Sequence, residues 1–222
     1  MQERLFADEK RSLLVVLQAM DAGGKDGVGR GVFRGINPQG CNVWSFKEAS
    51  DDEAKHDFLW RYHQKVPEAG MIGLFNRSYY EQVLSARVKG EVPEEVWRER
   101  YKLINDFENM LTHEGVTVLK FFLHVSKDEQ KRRLQERLEK PRKYWLFSEN
   151  DVTERERWDE HMEVFEDAIN NCTTRYAPWY VVPGNKKWFR NLVIARSIAD
   201  TLEEMDPKFP PLDKKYKGIK IK

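Results

Sequence analysis

Cysteine is scarce: two residues in a chain of 222, Cys41 and Cys172, far apart and in no spacing motif. That excludes a disulfide framework and a cysteine zinc site, and predicts reduced, partly buried thiols in a cytoplasmic protein. No apolar run approaches the roughly 20 residues that span a membrane. The first residues, Met1-Gln2-Glu3-Arg4, carry no signal-peptide core. Excess charge of one sign is also missing, since the formal net charge is +1. A nucleic-acid binder usually carries a basic surplus, so neither nucleic acid nor membrane is an expected partner. A polyanionic ligand stays open provided Lys and Arg are gathered in one place. There is no internal repeat and no low-complexity linker. The five histidines (His56, His63, His113, His124 and His161) are scattered without metal-ligand spacing, and read as structural or exposed. Ser78 lacks the glycines of a nucleophile elbow, so no Ser-His-Asp arrangement is arguable.

What is present is an alternation of short apolar runs with longer amphipathic segments, the pattern of an α/β fold with a mainly parallel sheet. Five strands are predicted: Leu13–Leu17, Asn42–Phe46, Met71–Phe75, Val116–Val125 and Trp179–Val182. Their near-continuous apolar character predicts cover on both faces. Capping boxes predict helix starts at Ser50-x-x-Glu53, Ser126-x-x-Glu129 and Thr153-x-x-Glu156. A long amphipathic helix is expected over Glu94–His113, stopped by Gly115, and a last one over Lys186–Met205. The proline-containing tail beyond Pro207 reads as a strap.

The strongest local feature is Leu17-Gln18-Ala19-Met20-Asp21-Ala22-Gly23-Gly24-Lys25-Asp26-Gly27, which joins the first strand to a predicted helix over Gly27–Arg34. Small residues between a strand and a helix N-terminus let backbone N–H groups wrap a phosphate, with a lysine reaching its outer oxygens. Ala22, Gly23, Gly24, Lys25, Asp26 and Gly27 are the candidate phosphate contacts. The match to G-x-x-x-x-G-K-S/T is imperfect: Ala19 replaces the first Gly, and Asp26 replaces the metal-binding hydroxyl. The alternative is a Gly-rich turn with no ligand. Asp21 would repel phosphate unless a cation lies between them, which makes it a candidate Mg²⁺ ligand; the alternative is a turn residue bonded to its own backbone.

A second polar cluster, Asn76-Arg77-Ser78-Tyr79-Tyr80-Glu81, closes the third predicted strand. Ligands of open α/β sheets bind at that edge. Asn76 can hold a metal or its water through the amide carbonyl, and Arg77 can fork onto phosphate oxygens. An Asn helix cap and a structural arginine ion pair are the alternatives. Lys131–Lys143 is basic and helical as far as Pro141, with Arg133 and Arg137 on one face. It reads either as a solvated helix face or as a lid supplying arginines to a phosphate chain.

Together, the loop Leu17–Gly27, Asn37-Pro38-Gln39-Gly40-Cys41, Phe75–Glu81, Glu136-Arg137-Leu138 with Pro141 and Trp145, and Ala177-Pro178-Trp179-Tyr180 resemble the polyphosphate kinase 2 family, in the family's order. The resemblance covers about residues 5–205. It implies a single domain over 1–222 with a three-layer α/β/α P-loop kinase fold, a five-stranded sheet and a helical lid at about 127–155, similar to thymidylate kinase. It implies that Asp21, Lys25, Arg77 and Arg137 are catalytic; the residue types themselves further suggest that Arg30, Arg77 and Arg133 join the loop in binding phosphate, and that Asp21 and Asn76 hold Mg²⁺, with Mn²⁺ as an alternative. Asn76 replaces an Asp found in many members and, with Tyr-Tyr-Glu after it, looks like the class III branch, which phosphorylates both AMP and ADP. Val28 and Arg30 stand where related chains often carry Thr and Lys. The expected reaction is reversible phosphoryl transfer between inorganic polyphosphate and AMP, ADP or ATP by a homo-oligomer, a dimer or tetramer. An ATP-dependent nucleoside monophosphate kinase and a non-catalytic nucleotide- or polyphosphate-binding module are the rival readings.

Overall fold

A computed structural model describes residues 1–219 and 221. Among these the strands are β1 (Ser12–Gln18), β2 (Cys41–Ser45), β3 (Ile72–Asn76), β4 (Val116–His124) and β5 (Trp179–Pro183). The helices are α1 (Gln2–Asp8), α2 (Lys25–Val32), α3 (Trp60–His63), α4 (Ser85–Val88), α5 (Glu94–His113), α6 (Lys127–Glu139), α7 (Asn150–Glu156), α8 (Trp158–Cys172) and α9 (Lys187–Met205). All five expected strands form, each within about one residue of its predicted ends, in the order β2-β3-β1-β4-β5 with every pair parallel.

The period-2 alternation of β1 sorts its side chains into two cores. Leu14 and Val16 join Phe75, Val118 and Phe122 under α5 and α8, through Ile104, Phe107, Val164 and Phe165. Leu13, Val15 and Leu17 join Leu74, Leu119 and Phe121 under α2 and α9, through Val28, Ile194, Ile198 and Leu202. Three α/β/α layers follow. Cover on both faces holds for β1, all seven residues of which are buried, but not for β2 or β5. These strands lie at the two sheet edges, and Val43, Tyr180 and Val181 are exposed.

The helix over Glu94–His113 falls where expected, and the chain leaves it through Gly115 at φ 85°. The capping boxes fare unevenly. Ser50 and Glu53 make both reciprocal bonds, 3.3 Å and 2.9 Å, yet they open only a 3₁₀ turn. Ser126 caps α6 through the Glu129 amide, while the Glu129 carboxylate turns to Arg132 and Arg133 instead of reaching back. Thr153 starts nothing: it lies inside α7, whose first turn is organised by Ser148 and Asp151. The described part of the proline tail returns toward α1, where Arg4 lies over the Phe209 ring.

The topology places the site. From the central β1 the chain runs outward to β2; from β3 it crosses back to β4 on the other side of β1. The loops leaving β1 and β3 therefore diverge, and open a crevice at the carboxyl ends of these two neighbours. Asn76 is in register with Leu17 there, so the two sequence motifs meet side by side.

Candidate active site

The phosphate loop is held in a shape few side chains tolerate. Ala22 has φ 59° and Gly24 φ 107°. A Cβ on Gly23 would stand 2.6 Å from the Ala19 methyl, so the alanine at the first-glycine position packs directly on the loop. Gly24 is the N-cap of α2 and has no side chain to satisfy the first-turn amides, which leaves them for a ligand. The predicted helix thus begins at Lys25, two residues early. Val28, in the first turn after the loop, is buried in one cluster with Leu13, Val15 and Leu17.

The loop's carbonyls are fixed from behind by one face of α6. The buried Gln130 donates to the Asp21 carbonyl at 3.1 Å. Arg133 donates through Nη1 to the Ala22 and Gly23 carbonyls at 3.1 and 2.9 Å, and through Nη2 to those of Gly184 and Asn185. Its Nε goes to Glu129 at 2.7 Å. Every nitrogen of this guanidinium is occupied by protein acceptors, so Arg133 holds the loop's carbonyls while lining the groove in which the sequence expects it to bind phosphate. Gln130 carried no signal in the sequence beyond its place one turn before Arg133.

Of the four non-glycine residues at positive φ among the described residues, Glu9 and Asp206 cap helices. The other two, Ala22 and Arg77 (φ 62°), are in this site. A left-handed backbone costs about 1–2 kcal/mol per residue, so the turn after β3 is strained where its function concentrates. Arg77 Nη2 donates to Asp21 Oδ1 at 2.7 Å. Burial pushes the Asp21 carboxyl upward, but Lys25, Arg77 and Arg137 outweigh it and leave the group below its usual range. Burial, then Arg77, lowers the Lys25 pKa against the pull of Asp21, Glu81 and Asp26. Lys25 Nζ donates to the Ala19 carbonyl at 2.7 Å, and Asn76 Nδ2 donates to Asp26 Oδ1 at 2.6 Å. Asn76 caps no helix: Ser78 performs that role, accepting from the Tyr80 amide.

The segment expected as a lid consists of α6, a 3₁₀ stretch over Pro141–Leu146, and α7. Arg137 is partly buried in it, donating to the Leu146 carbonyl at 2.9 Å and to Asp151 at 2.8 Å. This arginine braces the segment while lining the site. Arg30 is exposed on α2 at the rim.

Two cavities meet at Asp21 and Arg77. One is a groove of about 1170 Å³ that includes residues 21–27 of the loop and is lined by nine Lys and Arg against four Asp and Glu. Near-zero net charge thus conceals a concentrated basic surface. The other, on the far side of Asp21, is a cleft of about 60 Å³ between Glu81, Leu84, Lys89, Phe165 and the buried His161–Glu154 pair, whose atoms are 2.6 Å apart. His161, one of five unmarked histidines in the sequence, becomes a site-facing group only through α7 and α8. Behind Arg77 lies a buried network also missed in the sequence. Tyr79 and Tyr80 donate to Glu108 at 2.8 and 3.0 Å, and Lys120 donates to Glu108 at 2.5 Å.

No group of three or more metal-ligating His, Cys, Asp or Glu side chains occurs among the described residues. The oxygen donors at the crevice are Asp21, Asp26 and the Asn76 carbonyl, whose amide nitrogen is already committed to Asp26. One or two carboxylates completed by substrate phosphates and water suit Mg²⁺, so the donor set fits that ion in company with a phosphate ligand.

The chain is similar to known proteins along nearly its whole length. The family profile described as Polyphosphate kinase 2 matches residues 1–210. An AMP/ADP-polyphosphate phosphotransferase of Meiothermus ruber is 52% identical over 210 residues, covering 95% of this chain and 79% of that protein. An ADP-polyphosphate phosphotransferase of Rhodopseudomonas palustris is 42% identical over 222 residues, covering 95% and 77%. The crystal structure of polyphosphate kinase 2 from Arthrobacter aurescens TC1 superimposes with a TM-score of 0.93 at 44% identity, covering 96% of this chain and 76% of that one.

Proposed function

The chain belongs to the polyphosphate kinase 2 family, and on that premise we propose that it transfers phosphoryl groups between inorganic polyphosphate and AMP or ADP, with Mg²⁺ as the metal. It is a polyphosphate:nucleotide phosphotransferase, and the observation that carries the assignment of its parts is the Asp21–Arg77 pair standing as the common wall of two cavities. The basic groove suits the polyphosphate chain. The small cleft, backed by Leu84 and Phe165, suits the nucleotide. At about 60 Å³ it is below the 300 Å³ or so of ordinary ligand pockets, so α7 and α8 must move to admit a base.

Lys25 and the amides of residues 22–27 hold the transferred phosphate and draw charge from it. Arg77 spans both substrates and neutralises the repulsion between two polyanions. Arg137 reaches the same point from the lid, Arg30 adds charge at the rim, and Gln130 and Arg133 keep the loop amides aimed forward. Mg²⁺, held by Asp21, Asn76 and Asp26 together with phosphate oxygens, would supply further charge neutralisation. The accepting phosphate oxygen of AMP or ADP is already ionised. The terminal P–O bond of polyphosphate breaks as the new one forms, the shortened chain leaves with the electron pair, and no protein base is needed. The bonds broken and made are both phosphoanhydrides, so the reaction runs in either direction.

The free thiols Cys41 and Cys172 fit the cytoplasmic location expected from the sequence, and no described helix is long and apolar enough to cross a membrane. Exposed Trp188 and Leu192 on α9 support a homo-oligomer, which sedimentation will identify as a dimer or tetramer.

The decisive experiment supplies polyphosphate, Mg²⁺ and AMP or ADP without ATP, followed by phosphorus NMR. ATP should appear from ADP, and ADP then ATP from AMP. Failure of polyphosphate as donor, with ATP phosphorylating a nucleoside monophosphate instead, would reject the reading.

A further inference from the structure

Among the described residues three Lys and Arg side chains are buried: Lys120, Arg133 and Arg190. Lys120 is paired with Glu108 and Arg133 with Glu129. Arg190, 2% exposed in the first turn of α9, has no acidic partner among the described residues. Its Nε and Nη2 donate to Asn191 Oδ1 at 3.1 and 2.8 Å, and Nη1 makes no hydrogen bond among the described residues. Burial, then the neighbouring Arg133, lowers its pKa to about 10, so it remains cationic at neutral pH. A buried cation without an anion is costly and calls for a counterion.

The sequence makes room for this charge. A Cβ on Gly24 would lie 2.1 Å from Arg190 Nη1, one on Gly27 3.0 Å from Nη2, and one on Gly31 2.3 Å from Asn191 Nδ2. Glycine weakens a helix interior, and α2 contains three of them, at positions 27, 29 and 31. Two of these clear the path of α9, and the N-cap Gly24 lets the guanidinium lie against the phosphate-loop backbone. Arg190 lines the basic groove and not the small cleft.

We propose that Arg190 is a further anion-binding residue of the phosphate loop, donating its free Nη1 to a phosphate group of the polyphosphate chain while Asn191 fixes the orientation of the guanidinium. The proposal rests on the polyphosphate reading of the groove. It goes beyond the phosphate-loop motif, because the residue comes from the last helix, 165 positions after Lys25.

The test is calorimetric binding of tripolyphosphate to the full chain without nucleotide, for wild type, Arg190→Gln and Arg190→Lys, beside steady-state kinetics and melting curves. Arg190→Gln should weaken tripolyphosphate binding about 10- to 100-fold. It should raise KM for polyphosphate, leave KM for ADP within about twofold, and melt no lower than wild type, since an unpaired buried charge has been removed. Wild-type tripolyphosphate affinity combined with a lowered melting temperature would make Arg190 a packing residue and overturn the proposal. If Arg190→Gln does not fold, Arg190→Lys decides: the point charge cannot reproduce the fixed fork, so affinity should still fall, and unchanged affinity rejects the contact. The binding arm needs no turnover, so wild type that binds tripolyphosphate without transferring phosphate would sink the activity and leave Arg190 standing. Wild type that fails to bind tripolyphosphate removes the premise and the Arg190 contact together.

Discussion

Arg77 and Asp21 meet at 2.7 Å across the crevice between β1 and β3, so the acid inside the phosphate loop is neutralised by an arginine from the second motif. Each partner is held from its own side. Gln130 fixes the Asp21 carbonyl, and the Arg77 amide continues the ladder onto the Leu17 carbonyl at 3.1 Å. On the proposed mechanism, Asp21 would hold a divalent cation on substrate entry, and Arg77 would then be free to turn to the phosphates.

Asp21→Asn should therefore act on metal dependence more than on nucleotide affinity. The Mg²⁺ concentration for half-maximal rate should rise at least about tenfold, because a charged oxygen ligand is replaced by a neutral one. Metal titrations that superimpose on wild type would leave Asp21 as a partner of Arg77 alone.

Lys25→Ala should lower kcat by at least about 100-fold, near 3 kcal/mol of transition-state stabilisation. Melting should change little, since among the described residues the ammonium donates hydrogen bonds only to the Ala19 and Met20 carbonyls. A folded variant with a near-wild-type rate removes Lys25 from the mechanism.

Periodicity and turn chemistry made the scaffold readable. The five apolar runs and the Glu94–His113 stripe are local patterns, and each became the expected element. The loop and the Asn76–Arg77 turn were readable because their residue types are unusual after buried strands. Arg133, Gln130, His161, Lys120 and Arg190 were not readable in their roles, because each depends on what α6, α8, β4 or α9 packs against. Sequence spacing put Arg133 and Arg137 on one face, and the fold divides them: Arg133 faces the loop carbonyls, and Arg137 faces Asp151.

Arg137→Ala consequently tests more than a mobile surface. It leaves the buried Asp151 without its cation and should cost about 1–3 kcal/mol of stability. Turnover should fall roughly 10- to 1,000-fold if the same guanidinium also reaches phosphate. Melting and specific activity measured on one preparation separate the two effects. Loss of stability with full activity of the folded fraction would confine Arg137 to bracing the lid.

Lys120→Met tests the network behind Arg77 through its pH dependence. In the wild type, burial pushes the Glu108 carboxyl above its usual 4.5, and Lys120, Tyr79 and Tyr80 pull it partly back. Removing Lys120 takes away the strongest downward pull, so the folded-state pKa of Glu108 must rise further. A carboxyl whose pKa is raised on folding favours the folded state only while it is protonated. The contribution is fully present below the unfolded value near 4.5 and is lost as pH rises through the folded one. Lys120→Met should then be nearly as stable as wild type near pH 5 and about 3–5 kcal/mol less stable near pH 8, the usual cost of stranding one partner of a buried pair. Glu108→Gln combined with Lys120→Met should remove the excess slope, because an amide oxygen still accepts from the tyrosines and carries no charge to strand. Denaturant unfolding at several pH values gives all three curves. Parallel curves for Lys120→Met and wild type would mean that Glu108 does not depend on Lys120 for its charge, and the strained Arg77 turn would then have to be supported by packing alone.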